Sequence, residues 1–310
     1  MVIYPYSSGS AYNQGMLGTR LLHSVSYAGF WGQESLGVEA FIHHAADLGF
    51  GGVMLMAKRP HVSPLDYDAA QRRALRGQLE QRGLKDLVVA GYTNLTADLE
   101  HAEIPHREFQ VAYIVELAKL TRDLGGQRLR IFTGYEHAGA AYGAQWKLVV
   151  DTLREAATRA SDLGVTLGVQ NHHDLAVGWQ QFEDLLHSVP QCRAMFDAWA
   201  PALHGVTDLA EPARRMAPLT IHTTVADYQL RPRYRYNPAL VNYEPGTPLV
   251  QAVPMGEGFI DYAAFLRGLA EGAPQASVAY EMCSPLLGGG DMKTLDRYAT
   301  RFLEYMQQLQ

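Results

Sequence analysis

The stretch "DLGVTLGVQNHHD", Asp162–Asp174, carries one whole architectural unit. Its start reads as the end of a helix closing at Gly164, where a left-handed C-cap requires no Cβ. The run that follows is almost unbroken in its apolarity, as in a strand of a parallel sheet buried on both faces. The run then turns polar, ending in Gln170, Asn171, His172, His173 and Asp174. The same punctuation recurs as "DLGF" at Asp47, "QRGL" at Gln81 and "DLGG" at Asp123.

Working outward from this unit, the alternation of apolar runs and helical-period stretches predicts strands at Leu22–Phe30, Gly52–Ala57, Leu87–Tyr92 and Leu129–Thr133. It continues with Thr166–Asn171, Cys192–Trp199, Leu219–Val225 and Ser277–Met282. Helices are predicted at Val38–Leu48, Ala69–Gln81, Arg107–Leu124, Ala144–Leu163, Trp179–Ser188, Asp208–Met216, Asp261–Ala270 and Lys293–Leu309. An open doubly wound sheet shares this pattern, but no G-x-G-x-x-G follows the first strand. Polar residues gather instead at the C-terminal strand ends, where a barrel carries its active site. The expected fold is an α/β (β/α)8 TIM barrel: an N-terminal lead over 1–20, then a single barrel domain over 21–310 with a long loop after strand seven, about 227–260. A connection of that length is usually functional, and here it is expected over the barrel mouth.

Composition agrees with a folded globular chain. Of 310 residues, 47% are hydrophobic and 19% charged, and the formal net charge is −6. Such a chain lacks the basic field that tracks phosphate backbones, so nucleic acid is not an expected partner. Two cysteines, Cys192 and Cys283, are too few for a disulfide scaffold. Neither a signal-like leader nor a membrane-length apolar run is read, which gives a cytoplasmic expectation with no membrane partner.

Four strand ends hold metal-ligand types: Gln170 on strand five, Asp197 on six, His222 on seven and Glu281 on eight. Taken singly, an Asp after a strand is more often a helix N-cap, and a lone His more often a bonded core residue. Four such intrusions at matching ends, each costly to bury unpaired, argue for one shared site. Oxygen donors with one imidazole suit a divalent ion, Mn2+ foremost, with Mg2+, Co2+ or Zn2+ as alternatives.

The order Gln170, Asp197, His222, Glu281, with "GEGFIDYAAFLRGL" at Gly256–Leu269, resembles the xylose-isomerase-like superfamily and its sugar isomerase/epimerase branch. The resemblance implies that Asp197, His222 and Glu281 ligate the metal and that Glu281 also serves as base. Gln170 departs from the pattern, which usually has glutamate there. An amide oxygen still binds a hard cation but takes no proton at neutral pH, which weakens a symmetric two-base epimerisation. A single-base isomerisation or a β-elimination is favoured, such as cleavage of a 3-keto-glycoside in the manner of C-glycoside deglycosidases, which work with a small second subunit. The substrate class is then a sugar or glycoside. The rival readings are a non-catalytic sugar-binding barrel and the superfamily's endonuclease branch.

Further candidates surround this set. His172 alternates with Gln170 along its strand and is the acid/base relay candidate, while Glu136 and His137 stand just past strand four. Lys58, beside Arg59 and His61, is read as a substrate contact, and Trp31, with Tyr27 and Phe30, as an apolar wall. Arg231, Arg233 and Arg235 interleave with Tyr234 and Tyr236 in the long loop. That run is read as a lid over a polar substrate, with Arg235 touching it, or as the contact of a homo-oligomer.

Overall fold

The computed structural model describes residues 16–100, 103–173 and 175–309. Asp174 and the part of the expected N-terminal lead before residue 16 lie outside them. The strands are β1 (Arg20–His23), β2 (Gly52–Met56), β3 (Asp86–Ala90), β4 (Arg128–Ile131), β5 (Thr166–Gln170), β6 (Arg193–Met195), β7 (Thr220–Val225), β8 (Asp227–Asn237), β9 (Asn242–Val253) and β10 (Ser277–Tyr280). Eight of them close a parallel barrel in the order β1-β10-β7-β6-β5-β4-β3-β2. The helices are α1 (Val38–Asp47), α2 (Ala69–Gln81), α3 (His106–Asp123), α4 (Tyr142–Ser161), α5 (Trp179–Ser188), α6 (Trp199–Leu203), α7 (Ala210–Met216), α8 (Tyr262–Gly272) and α9 (Met292–Gln308). The expected (β/α)8 barrel is what forms.

Two apolar layers follow from strand alternation. One face of the strands packs on the helices, with Leu22, Val53, Val89, Leu129, Val169 and Val278 in the large outer core. The other face fills the barrel interior with Leu21, Met54, Val88, Ala90, Met195 and Ala279. Gly168 on β5 makes room for this filling, since a Cβ there would lie 2.4 Å from Met195 Cε. No described helix is long and apolar enough to cross a membrane.

Three expectations need correction. The first strand stops at His23, and a 3-10 turn over Ser24–Tyr27 follows; the His23 ring accepts from the Val25 backbone N–H at 3.1 Å and caps that turn. The sixth strand is the short Arg193–Met195, and α6 begins at Trp199, the residue to which the strand was expected to run. The long connection is no irregular loop. β8 and β9 pair antiparallel as a ribbon, from Asp227 opposite Val253 to Asn237 opposite Asn242.

The "GEG" motif fixes the base of this ribbon. The Asp227 carboxylate accepts from the backbone N–H groups of Tyr228, Gly256 and Gly258, each at 2.9 Å. A Cβ on Gly258 would fall 1.9 Å from Asp227 Oδ1, so only glycine lets the backbone approach this closely. Asp261 then caps α8 through the Ala264 N–H, and Tyr262 Oη donates to the Ala226 carbonyl.

Candidate active site

A cleft of about 930 Å3 opens at the C-terminal ends of the strands. Its polar floor and walls include Lys58, Arg130, Gln170, His172, Asp197, Thr224, Glu281 and Cys283. Its apolar wall includes Phe30, Trp31, Tyr92, Phe132, Tyr135 and Trp199.

Asp197 is the most constrained of these groups. Gln170 Nε2 donates to its Oδ2 at 2.7 Å, and the Trp199 N–H donates to its Oδ1 at 3.1 Å. Asn171 holds the backbone beneath, donating to the Asp197 carbonyl and accepting from its N–H. Burial pushes the Asp197 carboxyl up to about 7, against the Gln170 bond, and the Glu281 charge adds to the rise. Glu281 follows β10, its N–H bonded to the Val225 carbonyl. Burial raises its pKa too, while Arg130, Cys283 and Lys58 draw it back. The Tyr228 hydroxyl and the Cys283 thiol lie 2.6 Å apart beside it.

Arg130 was not among the sequence candidates. It is 2% exposed, and its Nε and Nη1 have no hydrogen-bond partner. Its guanidinium lies 4.0 Å from the Phe132 ring centroid and 4.9 Å from that of Tyr92. Lys58 Nζ lies 4.0 Å from the Tyr92 centroid and 5.2 Å from that of Phe30. The two cations thus share an aromatic shelf in the same cleft as both carboxyls. The signal for Arg130 was legible in "RLRI", since a strand that points Leu129 and Ile131 at the helices turns Arg128 and Arg130 inward.

The sequence of residues 42–300 matches the family described as xylose isomerase-like TIM barrel. The chain belongs to that family. No curated protein matches the sequence. Among solved structures it is similar to D-psicose 3-epimerase from Clostridium cellulolyticum H10 at 17% identity and a TM-score of 0.70, over 94% of this chain and 99% of that one. The 3-keto-D-glucoside 4-epimerase YcjR from E. coli superposes with a TM-score of 0.68 at 13% identity, over 94% of this chain and 99% of that one. The probable 3-DHS dehydratase AsbF from Bacillus anthracis gives 0.67 at 15% identity, over 93% of this chain and 99% of that one.

Within this family barrel, the donor set expected to hold a divalent ion does not converge. His222 is in register with Ser277, the first residue of β10, and its Nδ1 lies 2.7 Å from the Ser277 hydroxyl. Four residues of strand, about 13 Å, separate that level from Glu281, beyond what two side chains span around one ion. The residues of β7 that reach the cleft are Thr224 and Val225, not His222. Gln170 turns its amide nitrogen, not its oxygen, towards Asp197. Among the described residues no three His, Cys, Asp or Glu side chains gather as a metal-holding group. The residues present do not fit the ion that the family resemblance implied.

The remaining candidates divide. Lys58, Trp31 and His172 line the cleft. The His172 ring packs on Phe132 at 4.7 Å, and desolvation against its neighbours, followed by the charges of His173 and Arg130, lowers its pKa and favours the neutral ring. Glu136 and His137 do not line the cleft; the His137 backbone is held by the Gln145 side chain. Arg235 sits out on the ribbon near Glu244, its side chain 84% exposed, because the strand pairing that replaces the expected loop carries it away from the mouth. Only the ribbon's base, through Tyr228 and Val250, meets the cleft. Around Lys58, Arg59 pairs with Asp66, and His61 lies buried against Ser24 Oγ and the Leu36 carbonyl.

Proposed function

We propose that this protein is a sugar isomerase/epimerase-like enzyme that moves a proton at a carbon next to a sugar carbonyl. The observation that carries this reading is a pair of carboxyls, the buried Asp197 and the half-buried Glu281, in one cleft with the cations Lys58 and Arg130. Glu281 is the base. Removal of the α-proton sends the C–H electron pair into an enediolate, and the proton goes to the Glu281 carboxyl. Asp197, half-protonated near neutral pH and held in place by Gln170, gives a proton to an enediolate oxygen, while Glu281 returns its own proton to carbon. His172, neutral, serves as a relay. The aromatic wall of Trp31, Phe132 and Trp199 suits the flat face of a sugar ring.

Neighbours named for D-psicose, 3-keto-D-glucoside and 3-DHS support carbonyl-bearing, sugar-like substrates of small size. Gln170 makes the two carboxyl sites unequal, which favours a one-base isomerisation, or a β-elimination from a keto-glycoside, over symmetric epimerisation. The Gln170–Asp197 bond also favours a second reading, a sugar-binding barrel that performs no chemistry. Incubation with ketohexoses and 3-keto-glucosides in D2O, followed by NMR, separates the two. An enzyme exchanges the proton beside the carbonyl, and Glu281→Gln lowers that rate by at least about 100-fold. A rate unchanged within tenfold in Glu281→Gln removes the base assignment, and no exchange with any of these sugars leaves the binding reading.

A further inference from the structure

We propose that this barrel works without a resident divalent ion, and that the buried guanidinium of Arg130, with Lys58, supplies the positive charge that holds the developing enediolate oxygen. The inference rests on the proton-transfer reading above for its chemistry, and on independent geometry for its charge. An ion at the mouth would need donors that this chain has displaced: His222 lies at the level of Ser277, and the Gln170 amide donates to Asp197. A cation is nevertheless present. Arg130 lines the cleft, almost wholly buried, with Nε and Nη1 unpartnered, an arrangement that costs stability in a folded interior unless something is bound.

The surroundings of Arg130 leave an anionic oxygen as the partner that fits. Its faces are occupied by the Phe132 and Tyr92 rings, so its remaining capacity is the N–H edge. Glu281 is near enough to be drawn down by its charge. Lys58 Nζ lies 4.0 Å from the centroid of the same Tyr92 ring. A guanidinium holds a planar, two-oxygen anion through paired N–H bonds, which is the shape of an enediolate. When the α-proton leaves for Glu281, the negative charge develops on the carbonyl oxygen, where the Arg130 N–H groups meet it. The count of atoms and electrons is that of a simple proton transfer and calls for no co-reactant.

Oxalate, a planar dianion resembling an enediolate, tests this by calorimetry on the full chain after chelator treatment. Oxalate is expected to bind with chelator present. Arg130→Met and Lys58→Met should each weaken it by about tenfold or more. Mn2+ titrated alone is expected to give no one-to-one isotherm. Micromolar binding of one Mn2+ per chain, or oxalate binding that appears only once Mn2+ is added, overturns the proposal. So does a wild type that fails to bind oxalate. If Arg130→Met does not fold, Lys58→Met decides the charge assignment, and unchanged affinity in it refutes the pair. Oxalate binding intact alongside absent sugar exchange would sink the proton-transfer reading and leave the charge assignment standing.

Discussion

At the scale of single residues, the Gln170–Asp197 bond decides what the site is. With glutamate at 170, two carboxylates would crowd one another unless a cation lay between them; the amide instead gives Asp197 a neutral donor. Desolvation still dominates, and the Asp197 carboxyl stands at about 7 rather than the ordinary 3.8 of an aspartate. The sign for stability follows. The folded chain binds this proton more tightly than the unfolded chain, so stability falls as pH rises from about 4 to about 7 and the full penalty is present above 7. Asp197→Asn keeps the size and removes the charge. The variant is expected to be more stable than wild type at pH 8, by on the order of 1–3 kcal/mol, and to melt at a higher temperature. At pH 4 the two should be nearly equal. Thermal melts across that range check this, and a variant less stable at pH 8 would mean that the carboxylate is stabilised by a charge not accounted for here.

At the scale of elements, what was legible followed from period, and what was missed followed from register. Apolar runs ended by "DLG" turns located the barrel strands and most helices to within a few residues, because each strand buries both faces and each helix only one. The same pattern placed Asp197, Glu281, Lys58 and Trp31 at the mouth. It could not place His222, because a residue's height along a barrel depends on how far each strand is staggered against the next, and no run of apolar residues records that stagger. It also missed the ribbon. "YQLRPRYRYNPALVNYEPG" interleaves arginine with tyrosine and, past Tyr228, has no buried face, so pairing across the ribbon, not burial, sets its structure. The "GEG" motif, recognised only as a family signature, has a mechanical role in clamping Asp227. Gly258→Ala should therefore push the Asp227 carboxylate out of its backbone cradle and destabilise the protein by about 1–3 kcal/mol. Hydrogen exchange is expected to rise first at Tyr228 and Gly256; protection unchanged there would show that the cradle does not hold the ribbon's base.

At the scale of the whole molecule, the ribbon is the feature that the barrel does not account for. Tyr234, Leu240, Val241 and Tyr243 are each more than 60% exposed, and the Tyr236 and Tyr243 rings stack edge-on, 5.3 Å apart, beyond the barrel wall. A two-stranded ribbon has little stability of its own in water, and an exposed aromatic surface on it gains most by being covered. Its arginines and the nearby Glu244 give the same surface complementary charges, as a self-complementary contact requires. The homo-oligomer expected from the sequence is tested here. The 34.3 kDa chain should sediment as a dimer at micromolar concentration. Tyr236→Asp with Tyr243→Asp should return it to a monomer with an unchanged barrel melting temperature, since both side chains are exposed on the ribbon and pair only with each other across it. If the wild type is already monomeric, the ribbon does not join two copies. If the double variant also loses sugar exchange while the barrel stays folded, the ribbon reaches the mouth by closing on bound substrate, and the lid reading of its sequence is the correct one.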